Sequence, residues 1–246
     1  MLSVIIITKN EASSITACLR SVSWANEIIV VDSGSTDDTV SICKKHGAII
    51  HTREWTGFGA QKNYALSLAS NKWVLSIDAD ERVTTELKES ILKVISKRNE
   101  ISAWRIPRLS SFCGSYIFHS GWHPDYVTRL FKRESARFSD DIIHEKVVVN
   151  GKTGTLKENL LHESIESIDD LLNKMNYYTT AGALTLNNAK KKTSLKKAIF
   201  KGIWAFFRAY IVRAGFLDGR SGFMIAISAA ETSYYKQIKL LMMQEQ

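Results

Sequence analysis

The sequence is poor in cysteine and proline and has no long uninterrupted apolar run. Its 246 residues include 3 Cys and 2 Pro. Cys18, Cys43 and Cys113 form no CxxC pair, and their spacing matches neither a disulfide framework nor a zinc site. These absences predict a protein of a reducing compartment. No apolar window approaches the roughly 20 residues that a membrane-spanning helix needs, so we expect none.

The first eight residues lack the basic leader and the cleavage site of a signal peptide. We therefore expect the protein to act in the cytoplasm. Hydrophobic residues make up 45% of the chain and charged residues 24%, which is typical of a globular protein and excludes a wholly disordered or coiled-coil chain.

The positive charge is concentrated near the C-terminus. The net charge is +8, and the segment from Asn187 to Ala230 contains nine basic residues and one acidic residue. Aromatic and aliphatic residues alternate with these basic residues, which favours a helix lying on an anionic membrane surface. Two alternatives stay open: a helix packed on the main domain with a solvated basic face, and a nucleic-acid-binding segment.

Strand patterns and helix patterns alternate in the first part of the chain. Strand-like runs at 2–7, 27–32 and 48–51 are each followed by a helical pattern, and a fourth run at 72–77 leads directly into Asp78-Ala79-Asp80. This order predicts an α/β fold with a parallel sheet covered on both faces. Further strands are predicted at 102–109, 126–132 and 146–149, as a mixed second half of the sheet, and the chain is predicted to be helical from Ile168 onward.

Polar side chains follow three of the four early strands, at Asn10-Glu11, Asp32 and Asp78-Ala79-Asp80. Ligands of open parallel sheets bind outside the carboxyl ends of the strands. Crowded carboxylates repel one another unless a cation lies among them. The pattern therefore predicts Mg²⁺ or Mn²⁺ together with a nucleotide diphosphate, with one aspartate of the triplet on the cation and the other on a ribose hydroxyl.

In this order, the motifs resemble the nucleotide-sugar half of the family 2 glycosyltransferases, which have the GT-A fold. The resemblance spans residues 1–110 and is carried by the strings Thr8-Lys9-Asn10-Glu11, Val30-Val31-Asp32-Ser33-Gly34-Ser35-Thr36-Asp37-Asp38-Thr39 and Asp78-Ala79-Asp80-Glu81. It implies a Rossmann-like, mostly parallel mixed sheet with a helical C-terminal extension. The implied organisation is a catalytic domain at 1–165, with a nucleotide-sugar half at 1–110 and an acceptor half at 111–165, followed by a basic, aromatic, membrane-associating region at 166–246.

The resemblance implies an inverting, single-displacement transfer from a UDP-sugar. The residues that it places at the donor are Thr8, Asn10, Glu11, Asp32, Gln61, Lys62, Asn63 and Asp78. It places the metal on Asp80 and His162. From the residues alone, 61–63 fit a solvated helix face equally well, His162 fits a core histidine, and Asp37 and Asp38 fit the N-terminus of a helix, where acids cap it.

One carboxylate is expected to act as the general base that deprotonates the acceptor hydroxyl. Glu145 is favoured because it follows His144 immediately before an apolar strand. Asp141, in a string that also fits a polar turn, and Asp125 are the alternatives. Trp122 and Arg129 are further candidates for contact with the acceptor.

Later motifs resemble one bacterial subgroup of this family, the lipopolysaccharide core β-glucosyltransferases that extend an inner-core heptose. They are Gly121-Trp122-His123-Pro124-Asp125, Arg129-Leu130-Phe131, His144-Glu145 and Gly215-Phe216-Leu217-Asp218-Gly219. The implied enzyme is non-processive, uses UDP-glucose and a lipid-linked saccharide, binds no nucleic acid, and works on the inner face of the cytoplasmic membrane. Alternatives are transfer to another cell-surface polysaccharide or glycolipid, a basic nucleic-acid-binding protein, and a glycoside hydrolase.

Overall fold

The structure, a computed structural model, describes residues 1–97, 100–139 and 146–245. The chain divides into two compact units. The first comprises Met1–Arg108 and Asp125–His162, and the second comprises Leu109–Pro124 and Glu163–Gln246. The predicted domain boundary at 165 stays a prediction. Residues 109–124, however, belong with the C-terminal helices, because Phe112 and Ile117 share an apolar core with Ile165 and Ile225.

Strands and helices alternate at the start of the chain, as the sequence pattern predicts. The strands are β1 (Leu2–Thr8), β2 (Glu27–Asp32), β3 (Ile49–Thr52), β4 (Trp73–Asp78), β5 (Glu81–Val83), β6 (Ile101–Phe112), β7 (Ser115–Tyr116), β8 (Asp125–Lys132), β9 (Ala136–Phe138), β10 (Val147–Val149), β11 (Lys152–Thr155) and β12 (Leu160–Ile165). The helices are α1 (Ile15–Ser21), α2 (Thr39–Lys45), α3 (Phe58–Leu68), α4 (Thr85–Ser96), α5 (Ile168–Asn188), α6 (Leu195–Phe207) and α7 (Gly219–Gln244).

The main sheet has the strand order β3-β2-β1-β4-β8-β6-β12-β5. β3, β2, β1 and β4 are parallel, whereas β8 runs antiparallel to both β4 and β6. β11 pairs in parallel with β6, and β9 and β10 form a separate antiparallel ribbon. This is the α/β, mostly parallel and mixed sheet that the sequence predicts. β6 and β12 begin in the first unit and end in the second.

Both faces of the parallel strands are buried. Alternate residues of a strand point to opposite faces, so Val4 and Ile6 of β1 enter one core while Ile5 enters the other. α1 covers the first core and α3 the second. A strand buried on both sides favours apolar residues on both faces, which explains why β1 is apolar from Val4 to Ile7 instead of alternating with polar residues.

The second unit packs its helices through small residues. α6 buries Ala198, Gly202 and Ala205. A β-carbon on Gly202 would lie 3.4 Å from the carbonyl oxygen of Ala230 on α7, so only a small residue fits between the two helices at this position. After α6 the chain forms a π-helical turn at Arg208–Val212 and a 3-10 turn at Gly215–Asp218.

Within the described residues, no helix combines the length and the apolar character that crossing a bilayer requires.

Candidate functional site

The three polar strand ends meet at one edge of the sheet. In the parallel register of β1 and β2, Thr8 lies opposite Asp32. In the register of β1 and β4, Ile7 lies opposite Asp78. The strands therefore end level with one another, and the segments that follow them emerge side by side, as the sequence predicts.

The loops after β1 and β2 are held together by hydrogen bonds between backbone and side-chain groups. The Asn10 N–H donates to the Ser35 hydroxyl at 2.8 Å, and the Asn10 side-chain oxygen accepts from the Thr36 N–H at 2.8 Å. The Glu11 N–H donates to the Thr39 hydroxyl at 2.8 Å. Asn10 has φ 56°, a left-handed conformation that asparagine tolerates better than most residues. The predicted donor contacts of Asn10 and Glu11 thus fall on a loop of defined shape.

Asp32 shapes the turn that follows its own strand. Its carboxylate accepts from the N–H groups of Gly34 and Ser35, both at 2.9 Å, and from the Ser35 hydroxyl at 2.5 Å. The residue is 2% exposed. Its predicted role at the base or ribose stays a prediction. The hydrogen bonds establish that Asp32 holds the turn after β2 in place.

Of the two acids at the start of α2, Asp37 makes the capping contacts. Its carboxylate accepts from the N–H and the hydroxyl of Thr39, at 3.0 and 2.5 Å, and from the Ala12 N–H at 3.1 Å. The hydrogen bond from the Thr39 hydroxyl lowers the pKa of Asp37. Asp38 is the N-cap residue and makes no capping hydrogen bond with its side chain.

Gln61, Lys62 and Asn63 of α3 face the protein, so the alternative of a solvated helix face is wrong. The Gln61 amide donates to the Ser33 hydroxyl at 2.9 Å. Asn63 exchanges two hydrogen bonds with the backbone of Phe138, at 2.8 and 2.9 Å, and thereby anchors β9. Lys62 is buried and forms an ion pair with Asp78 at 2.9 Å. Of the three, Lys62 therefore acts directly on the electrostatics of the strand ends.

A chain of alternating charges runs from α3 across the sheet. Arg129 of β8 lies between Asp78 and Glu81 and bonds to both, with 2.6 Å to Glu81. Arg108 lies 3.6 Å from Glu81 and 2.7 Å from Asp125. The charge chain, as we call it below, consists in order of Lys62, Asp78, Arg129, Glu81, Arg108 and Asp125. Three positive and three negative charges alternate, so each is stabilised by a neighbour of opposite sign.

Burial and these neighbours set the ionisation of the charge chain. Burial alone raises the pKa of the Asp78 carboxyl, but Arg129 and Lys62 outweigh it and hold that pKa well below its ordinary value. At Glu81, which is fully buried, the desolvation dominates and the pKa is raised. The Arg129 pKa is raised by the two carboxylates despite burial. Asp78 is therefore an anion and Arg129 a cation throughout the physiological range.

This arrangement changes the interpretation of Arg129. The sequence suggests it as a contact for the acceptor, but the guanidinium is buried between two carboxylates of its own unit. Glu81 and Arg108 are not among the residues that the sequence singles out. The available signal for Glu81 is its place directly after the Asp78-Ala79-Asp80 triplet; Arg108 carries no comparable signal.

His162 is brought to Asp80 by strand pairing. β12 pairs antiparallel with β5, and His162 lies opposite Glu81, the residue after Asp80. His162 Nε2 lies 3.3 Å from the Asp80 carboxylate. The two predicted metal ligands are thus neighbours, while the Asp78 carboxylate faces away into the charge chain.

Asp80 and His162 could together hold a divalent cation, because a carboxylate oxygen and an imidazole nitrogen are both metal ligands. In this structure the two side chains contact each other, with 3.3 Å between His162 Nε2 and the Asp80 carboxylate. Within the described residues, no group of three or more His, Cys, Asp or Glu side chains is placed to hold a metal. A cation held by Asp80 and His162 would need further ligands, and Mg²⁺ usually takes these from phosphate oxygens and water.

The three candidates for the general base have different standing. Asp125 is held by Arg108, whose Nε and Nη2 both donate to one carboxylate oxygen, at 3.0 and 2.7 Å. Glu145 and Asp141 lie outside the described residues. All three roles stay predictions.

Comparison with known proteins identifies the class. Residues 3–157 match the model of glycosyl transferase family 2. Glycosyltransferase RP128 of Rickettsia prowazekii, an uncharacterized protein, is 35% identical over 97% of this chain and 86% of its own length. LpsC of Rhizobium meliloti, a lipopolysaccharide core biosynthesis glycosyltransferase, is 31% identical over 97% of this chain and 91% of its own length. The chain belongs to glycosyltransferase family 2.

The fold comparison agrees with the family. A crystal structure of S. aureus TarS in complex with UDP-GlcNAc aligns over 100% of this chain and 92% of that chain, with a TM-score of 0.50 and 16% identity. The predicted GT-A fold is confirmed, and the protein is a glycosyltransferase.

Proposed function

We propose that this glycosyltransferase transfers glucose from UDP-glucose to the inner-core heptose of a lipid-linked lipopolysaccharide core, with inversion and without processivity. The proposed donor site rests on one observation. Three polar strand ends lie together at one edge of the sheet, and Asp80 and His162 lie 3.3 Å apart at that edge. The relative LpsC is named for lipopolysaccharide core biosynthesis, which supports the acceptor class. TarS binds UDP-GlcNAc on a similar fold, which supports a UDP-linked donor.

The nucleotide-sugar donor is proposed to lie over the loops that follow β1 and β2. Thr8, Asn10 and Glu11 line the uridine side, and Asp78 accepts a ribose hydroxyl. Asp78 suits that role because it stays ionised, while Lys62 and Arg129 fix its orientation. Asp80 and His162 hold a divalent cation, which when bound neutralises the diphosphate leaving group.

The general base is proposed to be Glu145, with Asp141 and Asp125 as alternatives. A carboxylate on the acceptor side removes the hydroxyl proton as the new bond forms, an effect typically worth about 10² to 10⁴-fold in rate. Glu145→Gln is expected to keep donor affinity while transfer falls by at least about 100-fold. Near-normal turnover would move the role to Asp141 or Asp125, which Asp141→Asn and Asp125→Asn then distinguish.

The membrane is the proposed place of action. We call the exposed apolar side of α6, formed by Ile199, Phe200, Ile203, Trp204 and Phe207, the α6 face. Lys196, Lys197 and Lys201 are exposed on the same helix. An apolar stripe bordered by lysines suits the interface of an anionic leaflet, where each basic residue adds about 1 kcal/mol. A lipid-linked acceptor lies in that leaflet.

Calorimetric titration of UDP, with and without Mn²⁺, tests the donor site. We expect UDP to bind more tightly with Mn²⁺, and Mn²⁺ alone to bind weakly, because Asp80 and His162 supply only two ligands. Asp80→Asn and His162→Ala should each remove most of the Mn²⁺-dependent gain. Asp169→Asn, an exposed acid at the start of α5, is the matched control.

Two outcomes would contradict the proposal. UDP affinity that is equal with and without Mn²⁺ would remove the cation from the site. No affinity for UDP, with transfer from another nucleotide-sugar, would change the donor. A reaction with a heptose-containing core lipid then tests the rest of the proposal. The mass of the product shows whether a hexose was transferred to this acceptor, and its anomeric configuration shows whether the transfer inverts.

A further inference from the structure

A cavity of about 410 Å³ lies within the second unit. Its wall combines apolar side chains, hydroxyl groups of α7, and the guanidinium groups of Arg208 and Arg213. The volume falls in the range of about 300 to 1,000 Å³ that is typical of small-molecule sites. None of the residues assigned above to the donor site lines it.

The π-helical turn places the two arginines in this wall together. The Arg213 N–H donates to the Arg208 carbonyl oxygen at 2.9 Å, which is the hydrogen bond between residues five apart that defines a π turn. In a regular α-helix, residues five apart point about 140° away from each other. The wider turn brings them toward one face, and such turns are frequent at functional sites.

Gly121 leaves room for the Arg213 side chain in the position that it takes here. A β-carbon at Gly121 would lie 2.0 Å from Arg213 Nη1, so with any other residue at 121 the arginine side chain would have to shift. Gly121 also has φ 81°, a conformation that favours glycine. The neighbouring Ser120 N–H donates to the Arg213 carbonyl oxygen at 2.9 Å, which ties the two segments together.

Hydroxyl groups line the rest of the polar wall. Ser120 is 4% exposed, and its hydroxyl has no hydrogen-bond partner in the described part of the chain. An unpaired buried hydroxyl is unfavourable, so this group is suited to bond a ligand. Ser228 and Thr232, four residues apart on α7, present two further hydroxyls to the cavity.

The charge of the wall is positive and is not balanced within it. The lining residues include two arginines and no carboxylate. Asp218, the acid of the neighbouring 3-10 turn, is engaged elsewhere: it accepts from the N–H groups of Phe118 and His119, at 3.2 and 2.9 Å, and lies 2.9 Å from His119 Nδ1. A cavity of this kind favours an anionic ligand.

We propose that this cavity binds a phosphate ester carried on a sugar, and thereby holds a phosphorylated sugar of the acceptor. Two guanidinium groups bind phosphate oxygens through paired, charge-assisted hydrogen bonds. Trp122 in the wall offers a ring face to the sugar, and the hydroxyls bond to its polar groups. The assignment to the acceptor rests on the proposed function, whereas the binding of a sugar phosphate does not.

Calorimetric titration of the full chain with glucose 6-phosphate tests the proposal. The wild-type chain is expected to bind it, and to bind glucose at least about tenfold more weakly because glucose lacks the phosphate. Arg208→Gln and Arg213→Lys should each lower the affinity for glucose 6-phosphate at least about tenfold; the lysine keeps the charge but loses the two-pronged contact. Arg220→Gln, an exposed arginine outside the wall, is the control and should change it by less than about twofold.

Three results would overturn the proposal. The first is no binding of glucose 6-phosphate, and the second is an equal loss of affinity in Arg220→Gln. The third is weaker binding of phosphatidylglycerol vesicles by Arg208→Gln and Arg213→Lys with unchanged affinity for glucose 6-phosphate, which would assign the two arginines to lipid headgroups. UDP affinity with Mn²⁺ is measured in the same variants and should not change. If UDP fails to bind the wild-type chain while glucose 6-phosphate binds as expected, the proposed function fails and the sugar-phosphate site stands.

Discussion

The two units differ in where they keep their large apolar side chains. In the first unit Leu2, Ile5 and Phe131 are buried. In α6 of the second unit the small residues Ala198 and Gly202 are buried, while Phe200 is 69% exposed and Ile203 65% exposed. A helix with small residues inside and large ones outside leaves its apolar surface to be covered by something other than its own unit. Exposed patches of this kind mark interaction surfaces.

The charges differ in the same way. In the first unit, the charge chain pairs each buried ion with a neighbour of opposite sign. On α6, like charges stand together: burial and the nearby Lys197 and Lys236 lower the pKa of Lys201. The ions of the charge chain therefore pair within the first unit, whereas the α6 face with its lysines suits a partner that is apolar and anionic, as a bilayer surface is.

The largest effect is expected from a substitution that removes a cation from the charge chain of the first unit. Arg129→Met leaves the fully buried Glu81 and the partly exposed Asp78 without their shared cation, so we expect the free energy of unfolding to fall by about 3 to 5 kcal/mol. Urea denaturation measures the loss. Arg20→Met, at an exposed arginine of α1, should change it by no more than about 0.5 kcal/mol. Equal values for the two variants would show that the charge chain does not stabilise the unit.

A smaller effect is expected from reversing the packing of α6. Gly202→Leu forces a large side chain into the close contact with α7, which should cost about 1 to 3 kcal/mol of unfolding free energy. Lys201→Leu adds a leucine at the neighbouring exposed position and should cost no more than about 0.5 kcal/mol. The difference between the two unfolding midpoints in urea measures how closely α6 and α7 approach. No difference would mean that the helices pack loosely there.

Substitutions on the α6 face should weaken membrane binding with little change in the free energy of unfolding. Phe200→Ser with Ile203→Ser should change the unfolding free energy by no more than about 1 kcal/mol in total. The same pair should lower partitioning onto phosphatidylglycerol vesicles at least about tenfold, since each apolar side chain buried in the interface contributes about 1.5 to 3 kcal/mol. Cosedimentation with the vesicles measures this partitioning. Leu184→Ser, at an exposed leucine of α5, is the control.

Two results would contradict the membrane interpretation of the α6 face: unchanged partitioning of the double variant, or binding to RNA with affinity equal to that for vesicles. The second would favour the nucleic-acid alternative that the sequence leaves open.

The smallest expected effect concerns the thiols. Cys18 and Cys43 in the first unit are buried, whereas Cys113 in the second is exposed. Burial and Asp32 raise the pKa of Cys43 to about 11, and burial with the nearby acids raises that of Cys18. At pH 8 both stay protonated and unreactive, so a thiol reagent should label one cysteine quickly in the native chain and all three in urea. Rapid labelling of two or three in the native state would show that the first unit opens readily.

Much of the fold of the first unit can be predicted from local sequence patterns. The continuous apolar runs of β1, β2 and β4 predict strands buried on both faces, and parallel strands necessarily end at one edge. The polar residues that follow these strands, Asn10, Asp32 and Asp78, therefore had to meet, and their motif identifies the family without any coordinates.

Other features depend on contacts between residues that are far apart in the chain. β5 and β12 are short and have no clear periodic pattern, yet their register brings His162 to Asp80. Lys62, Arg108 and Arg129 come from three different elements to complete the charge chain. No local pattern specifies which distant side chain will be the partner, because ion pairs and strand registers form only when the whole sheet is assembled.

The same distinction holds for the C-terminal segment. Its sequence shows basic and aromatic residues at helical spacing, which determines that the segment is helical and cationic. Only the packing against α7 decides that the small residues of α6 turn inward, that Phe200 and Ile203 turn outward, and that Arg208 and Arg213 share one cavity wall. The physical reason is that an amphipathic pattern defines two faces of a helix, whereas the neighbouring helix determines which face it can approach.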